Sequence, residues 1–121
     1  MENNDLIKEA NQKIGAVFSN FKEKNNKAYS GYMQIRQSIF PEGAEGAIPG
    51  KYKHLIFALF DLERAYDEGY RAHIGAAVQL GLTSEELSEA LNISLILTGV
   101  STFLRGYELI EFVESNSKVN K

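Results

Sequence analysis

The chain contains no cysteine. Disulfide staples, thiolate nucleophiles, zinc–thiolate sites and thiol-based peroxide reduction are therefore excluded within it. The redox compartment stays open, because a cysteine-free chain fits either poise. Histidine is nearly as scarce, with only His54 and His73. A net charge of -3 with no basic stripe or cluster argues against nucleic acid as a partner. No apolar run approaches the roughly 18 residues a membrane span needs. The first residues, Met1 to Asp5, are polar and acidic and unlike a secretory leader. Cytoplasm is the default setting, without a membrane association. No strand-like alternation of any length and no internal repeat is visible.

What is present is apolar and helical in pattern. The 121 residues fit one domain over 1–121, and a domain this small has a high surface-to-volume ratio. Yet 44% of the residues are hydrophobic and 11% aromatic. That surplus predicts apolar surface covered by another subunit. The fold class expected is all-α with about six helices. Asp5 can cap the first, whose apolar face is Ile7, Ala10, Ile14, Val17, Phe18 and Phe21. A weaker second helix covers Ala28 to Phe40. Both prolines and three glycines then punctuate a loop from Pro41 to Gly50.

The remaining helices are expected from Lys51 to about Ala65 and from Asp67 to Leu80, with Gly81 as C-terminal cap. Thr83-Ser84-Glu85-Glu86 reads as a capping box opening a further helix to about Thr98. Its second half, with Ile93, Leu95, Ile96 and Leu97, is apolar on all sides and is expected to be buried. Gly99 breaks it, and Ser101 caps a last helix to about Glu114, ahead of a polar tail.

The ordered set Lys53-His54-Leu55-Ile56, His73, Ala76-Ala77, Gly81-Leu82-Thr83-Ser84-Glu85-Glu86 and Gly99-Val100 resembles the carboxymuconolactone decarboxylase and alkylhydroperoxidase D superfamily over about residues 47–114. The resemblance implies that superfamily's helical fold and an obligate oligomer, a homotrimer or homohexamer. It also implies a site beside His54, Tyr66 and His73 near a subunit boundary. The departures limit what carries over. Peroxidase members place a Cys-x-x-Cys pair at the positions of Tyr66 and Gly69, so their peroxiredoxin-type activity is not expected. Where the family has Glu in its proton relay, this chain has His54. The decarboxylase branch lacks the cysteine pair and shares His73, but often carries Glu where this chain has Gly69. The family's proline after the Gly-Val break is Ser101.

Each candidate also has a plain structural reading. His73 is either a half-buried histidine satisfied by one hydrogen bond or a general acid or base, since imidazole titrates near neutral pH. His54 is either a neighbour of Asp61 two turns away or a proton relay that favours an anionic ligand. Tyr66 either fills the space of a disulfide or donates to a ligand oxygen. Tyr70 and Arg71 flank His73 as candidate substrate-binding residues. Arg64, Arg71 and Arg105 could each hold a carboxylate, although Arg105 and Glu108 look like a surface ion pair. Phe57, Phe60, Phe103 and Tyr107 read as core or subunit contacts. The histidines with Asp61, Glu63 or Asp67 could bind a metal, but their spacing is not a local ligand spacing, so no metal and no cofactor are expected.

Two functions follow as expectations. One is a cofactor-free enzyme or binder, lyase-like if active, for a small organic acid or lactone. His73 would move a proton, with His54 and Tyr66 orienting or neutralising the ligand. The other is a non-catalytic oligomeric module that kept the scaffold and lost the chemistry.

Overall fold

The computed structural model describes residues 3–41 and 46–117. Residues 1–2, residues 42–45 of the expected loop and residues 118–121 of the polar tail lie outside the described residues. Among the described residues there are seven α-helices and no strand: α1 (Asn3–Lys24), α2 (Asn26–Ile39), α3 (Gly50–Glu63), α4 (Asp67–Gln79), α5 (Ser84–Thr98), α6 (Val100–Tyr107) and α7 (Ile110–Asn116). None is long and apolar enough to cross a membrane.

The antiparallel pair α3 and α4 forms the centre. Leu55, Ala58 and Leu62 of α3 interlock with Tyr70, Ile74, Ala77 and Val78 of α4, and Ile7, Leu87, Leu91, Leu109 and Val113 close the core from the other helices. Leu62, Leu87 and Leu91 are at most 1% exposed. Truncating any one of them to alanine should cost about 2–5 kcal/mol. Helix α2 buries no side chain completely. It is held by aromatic contacts instead, Tyr32 lying 5.4 Å from Phe18 and Tyr29 5.5 Å from Phe21, centroid to centroid.

The local signals explain most boundaries. Thr83 accepts from the Glu86 N–H while Glu86 accepts from the Thr83 N–H, so the capping box forms as expected. At the end of α4 the Leu82 N–H reaches the Ala77 carbonyl and the Gly81 N–H reaches the Val78 carbonyl. Gly81, at φ 100°, takes the left-handed position that this Schellman closure needs. The α3–α4 turn closes the same way. The Tyr66 N–H bonds to the Asp61 carbonyl at 2.8 Å and the Ala65 N–H to Leu62 at 3.1 Å. Here the left-handed residue is Ala65, at φ 63°, a conformation that costs an L-residue with a Cβ about 1–2 kcal/mol.

Four expectations are corrected. Asp5 lies inside the first turn of α1 and is not its cap. Ser101 lies inside α6, whose N-cap is Gly99. The single last helix is two, broken at Glu108–Leu109. The Tyr70 hydroxyl donates to the Gly106 carbonyl at 2.7 Å, and the Leu109 N–H turns back to that same carbonyl at 3.4 Å. The acceptor that would continue the helix is thereby taken. Finally, the apolar half of α5 is not buried within the chain: Ile93, Ile96 and Leu97 are 56%, 84% and 74% exposed, and Val100 and Leu104 of α6 extend the same bare surface.

Candidate functional site

Helices α3 and α4 each turn one histidine toward the other. His54, from the first turns of α3, and His73, from the middle of α4, meet Nδ1 to Nδ1 at 3.0 Å. Their rings are sandwiched. Phe40, just past the end of α2, stacks on His54 with centroids 4.8 Å apart, and Phe57 stacks on His73 at the same separation. Phe40 and Phe57 stack on one another at 5.7 Å, closing a four-ring cluster. The guanidinium of Arg36, in the last turn of α2, lies 5.0 Å from the Phe40 centroid and 5.8 Å from that of Phe57. Among the described residues it has no carboxylate partner.

His54, Phe57 and His73 of this cluster line a cleft of about 590 Å³, together with Arg36, Asp61 and Tyr66. Helices α1 and α2 contribute Phe18 and Tyr32 to the same lining. A wider cleft of about 790 Å³ between α1 and α4 is lined by amides such as Asn4, Asn11, Gln12 and Gln79, with Lys8 its one charged group. It holds no acid–base pair.

A single proton can occupy the gap between two Nδ1 atoms. One ring must donate there and the other accept. The donor ring is then the Nδ1–H tautomer with a bare Nε2, and the acceptor ring carries its proton on Nε2. Neither Nε2 has a hydrogen-bond partner among the described residues. The pair thus presents one base and one acid from two like residues.

The surroundings disfavour the charged form of both rings. Burial, then the neighbouring His73, then Arg36 lower His54 to about 4. Burial also lowers His73, with Asp61 opposing the shift and Arg36 reinforcing it. Asp61 is only 6% exposed and pairs with Arg64 at 2.6 Å. Its carboxylate occupies the space a Cβ at position 69 would need, and that Cβ would also come within 2.6 Å of the Tyr66 ring. Gly69 is therefore required by close approach. Burial, then the Glu68 and Asp61 charges, raise Tyr66, so its phenol remains a donor.

The structure brings His54, His73, Tyr66, Asp61 and Arg64 to one cleft. It does not bring Tyr70 or Arg71 there. Tyr70 is a core residue, 2% exposed and bonded to Gly106. Arg71 sits two residues before His73, on the far side of α4, and pairs with Glu108 at 2.8 Å. The expected Arg105–Glu108 pair is replaced as well, since Arg105 bonds to Asp67 and the Leu62 carbonyl. Phe57, expected in the core or a subunit contact, lines this cleft. Arg36 and Phe40 were not anticipated at all. The one available signal was that Arg36 is the sole basic residue between Lys27 and Lys51. Among the described residues no three His, Cys, Asp or Glu side chains gather to hold a metal ion.

No family model, curated protein or solved structure matches the chain.

Proposed function

We propose that the cleft binds a small carboxylated or lactone-like molecule and performs cofactor-free acid–base chemistry on it, in the manner of a carboxymuconolactone decarboxylase-like protein. The observation that carries this reading is the 3.0 Å contact between His54 and His73 in an open cleft. Neither outer nitrogen has a hydrogen-bond partner among the described residues, which leaves each available to a ligand. Arg36 supplies positive charge beside the pair, and the aromatic walls suit a flat organic body. Lyase-type chemistry needs a proton donor at carbon after bond cleavage, which a positioned imidazole can supply. The motif order from Lys53 to Val100 supports placing the chain in the decarboxylase and alkylhydroperoxidase D superfamily. With no thiol, peroxidase activity is outside the proposal.

Self-association and a cytoplasmic setting belong to the same proposal. The exposed Ile93, Ile96, Leu97, Val100 and Leu104 form an apolar surface across α5 and α6. No charged residue occurs between Glu89 and Arg105. A self-complementary contact can therefore form there without like-charge repulsion, which suits the trimer or hexamer that the superfamily resemblance implies.

The second reading, a non-catalytic oligomeric module, is favoured by one observation. Each imidazole already has a hydrogen-bond partner and a stacked ring. A thermal-shift series with small lactones, 2-oxo acids and aromatic acids separates the two. Ligand at 100 times its dissociation constant adds about 2.7 kcal/mol of stability. The proposal expects a shift in wild type that is lost in His73→Ala; no shift in either protein supports the inert module.

A further inference from the structure

We infer that the ligand of this cleft is a fused-ring aromatic monocarboxylate, its rings packed among the aromatic side chains of α1 to α4 and its one negative charge balanced by Arg36. The inference rests on the reading of the cleft as a small-acid site and narrows the ligand to one chemical class.

The aromatic body follows from the lining. Phe18, Tyr32, Phe57 and Tyr66 line the cleft together with the imidazoles of His54 and His73. Two of these rings keep much of their surface uncovered by the chain, Tyr32 at 37% and Tyr66 at 45% exposed. An aliphatic body can fill the space between such rings but has no π face to offer them. A flat aromatic body makes offset-stacked or edge-to-face contacts, each worth up to about 10-fold in affinity beyond the area it buries. Size points the same way. At about 590 Å³ the cleft falls within the roughly 300–1,000 Å³ of sites that take drug-sized ligands. A three- or four-carbon acid would leave most of it to water, whereas two fused rings can touch several lining side chains at once.

The single negative charge follows from the ionised groups. Asp61 of the lining is already paired with Arg64 at 2.6 Å. Arg36 lines the same cleft with aromatic neighbours, Phe40 and Phe57, and no carboxylate partner among the described residues. Both histidines are disfavoured as cations by burial and by Arg36 itself, and the Tyr66 phenol keeps its proton. The lining is thus left with one uncompensated positive charge. One carboxylate matches it, and a second would be desolvated without a partner.

Such a ligand also supplies what α2 lacks. This helix gives Tyr29, Tyr32 and Arg36 to the lining yet buries no side chain completely. Rings held in the cleft would add contacts to it, so binding should slow amide exchange in α2, where little apolar burial now resists local opening.

The test is calorimetric titration of the protein with 2-naphthoate, decahydro-2-naphthoate and 2-naphthylmethanol. The first two share charge and approximate size, and the first and third share the aromatic rings. 2-Naphthoate should bind about 10-fold tighter than either relative and should slow amide exchange in α2. Arg36→Gln should weaken 2-naphthoate about 10-fold and leave 2-naphthylmethanol unchanged. Tyr66→Leu should weaken both naphthyl ligands and spare decahydro-2-naphthoate; if that variant fails to fold, Tyr32→Leu takes its place. Equal binding of the two acids would overturn the aromatic class and leave the small-acid reading standing. Equal binding of 2-naphthylmethanol would overturn the pairing of a carboxylate with Arg36. Binding of 2-naphthoate that ignores both substitutions and leaves α2 unprotected would place the ligand outside the cleft and overturn the assignment. No binding of either acid would overturn the inference, and no response to aliphatic 2-oxo acids and lactones as well would overturn the reading beneath it.

Discussion

Acid should weaken this fold through His54 before carboxylates begin to titrate. The ring ordinarily protonates near 6.5 and in the folded chain does so near 4, because burial, His73 and Arg36 all disfavour its charged form. Below 6.5 the unfolded chain therefore binds a proton that the native chain refuses. Stability contributed by the neutral ring is complete above pH 6.5, falls as pH drops from 6.5 toward 4, and changes no further below that. By pH 5 the interval is 1.5 units, roughly 2 kcal/mol at 1.36 kcal/mol per unit. His54 is only partly buried, so solvent screening should reduce this to about 1 kcal/mol. His73 shifts the same way, with Asp61 working against it. Tyr29, Tyr32, Arg64 and Tyr66 are the remaining titratable groups among the described residues lining the cleft. Urea unfolding from pH 8 to 5, run on wild type and His54→Phe, isolates the effect, since other carboxylates and lysines are common to both. Wild type should lose about 1 kcal/mol more than the variant, all of it below pH 6.5. Parallel profiles across the range would refute the assignment of His54 as a ring held neutral by its surroundings.

Other perturbations test the parts around the pair. Gly69→Ala forces a methyl against the Asp61 carboxylate and the Tyr66 ring, and should destabilise by about 1–3 kcal/mol in thermal unfolding; an unchanged Tm would contradict the close approach of α3 and α4 there. Ala65→Gly should do the opposite, raising stability by up to about 1 kcal/mol as the left-handed strain at φ 63° is relieved, and a loss of stability would show that no strain is stored at that turn. Tyr70→Phe removes the donor to the Gly106 carbonyl and should cost about 1–2 kcal/mol with little change in ligand affinity; a selective loss of affinity would return Tyr70 to the binding site. Light scattering on Ile96→Glu should show a smaller particle than wild type, and a monomeric wild type would end the self-association proposal.

The backbone plan was legible in the sequence wherever the signal was local. The Thr83–Glu86 box and the Gly81 closure form between residues three to five apart, so a short window contains all of their physics. The convergence of His54 and His73 on one cleft could be anticipated only from the order of motifs, since no local spacing joins residues nineteen apart. What stayed hidden depends on partners distant in the chain. The α6–α7 break is set by Tyr70 reaching Gly106. Arg36 enters the site because the last turn of α2 and Phe40 meet His54 and Phe57 of α3, while α2 has no fully buried side chain and therefore leaves a weak periodic trace. Arg71 is a different case. Two residues from His73 on one helix, it could not have shared that face, and helix geometry alone was sufficient to exclude it. The apolar run in α5 was expected to be buried, but Ile93, Ile96 and Leu97 stand exposed among the described residues, because composition alone does not say what packs against a helix.

The most direct test of the account is nitrogen-15 NMR of the two histidine side chains in the wild-type protein without ligand. The account predicts one Nδ1–H and one Nε2–H tautomer at pH 7, coupled across the Nδ1–Nδ1 hydrogen bond, with His54 still neutral near pH 5 and His73 titrating below its ordinary value. Two independent rings in the common Nε2–H form, each titrating near 6.5, would contradict the paired acid–base site on which the proposed function stands.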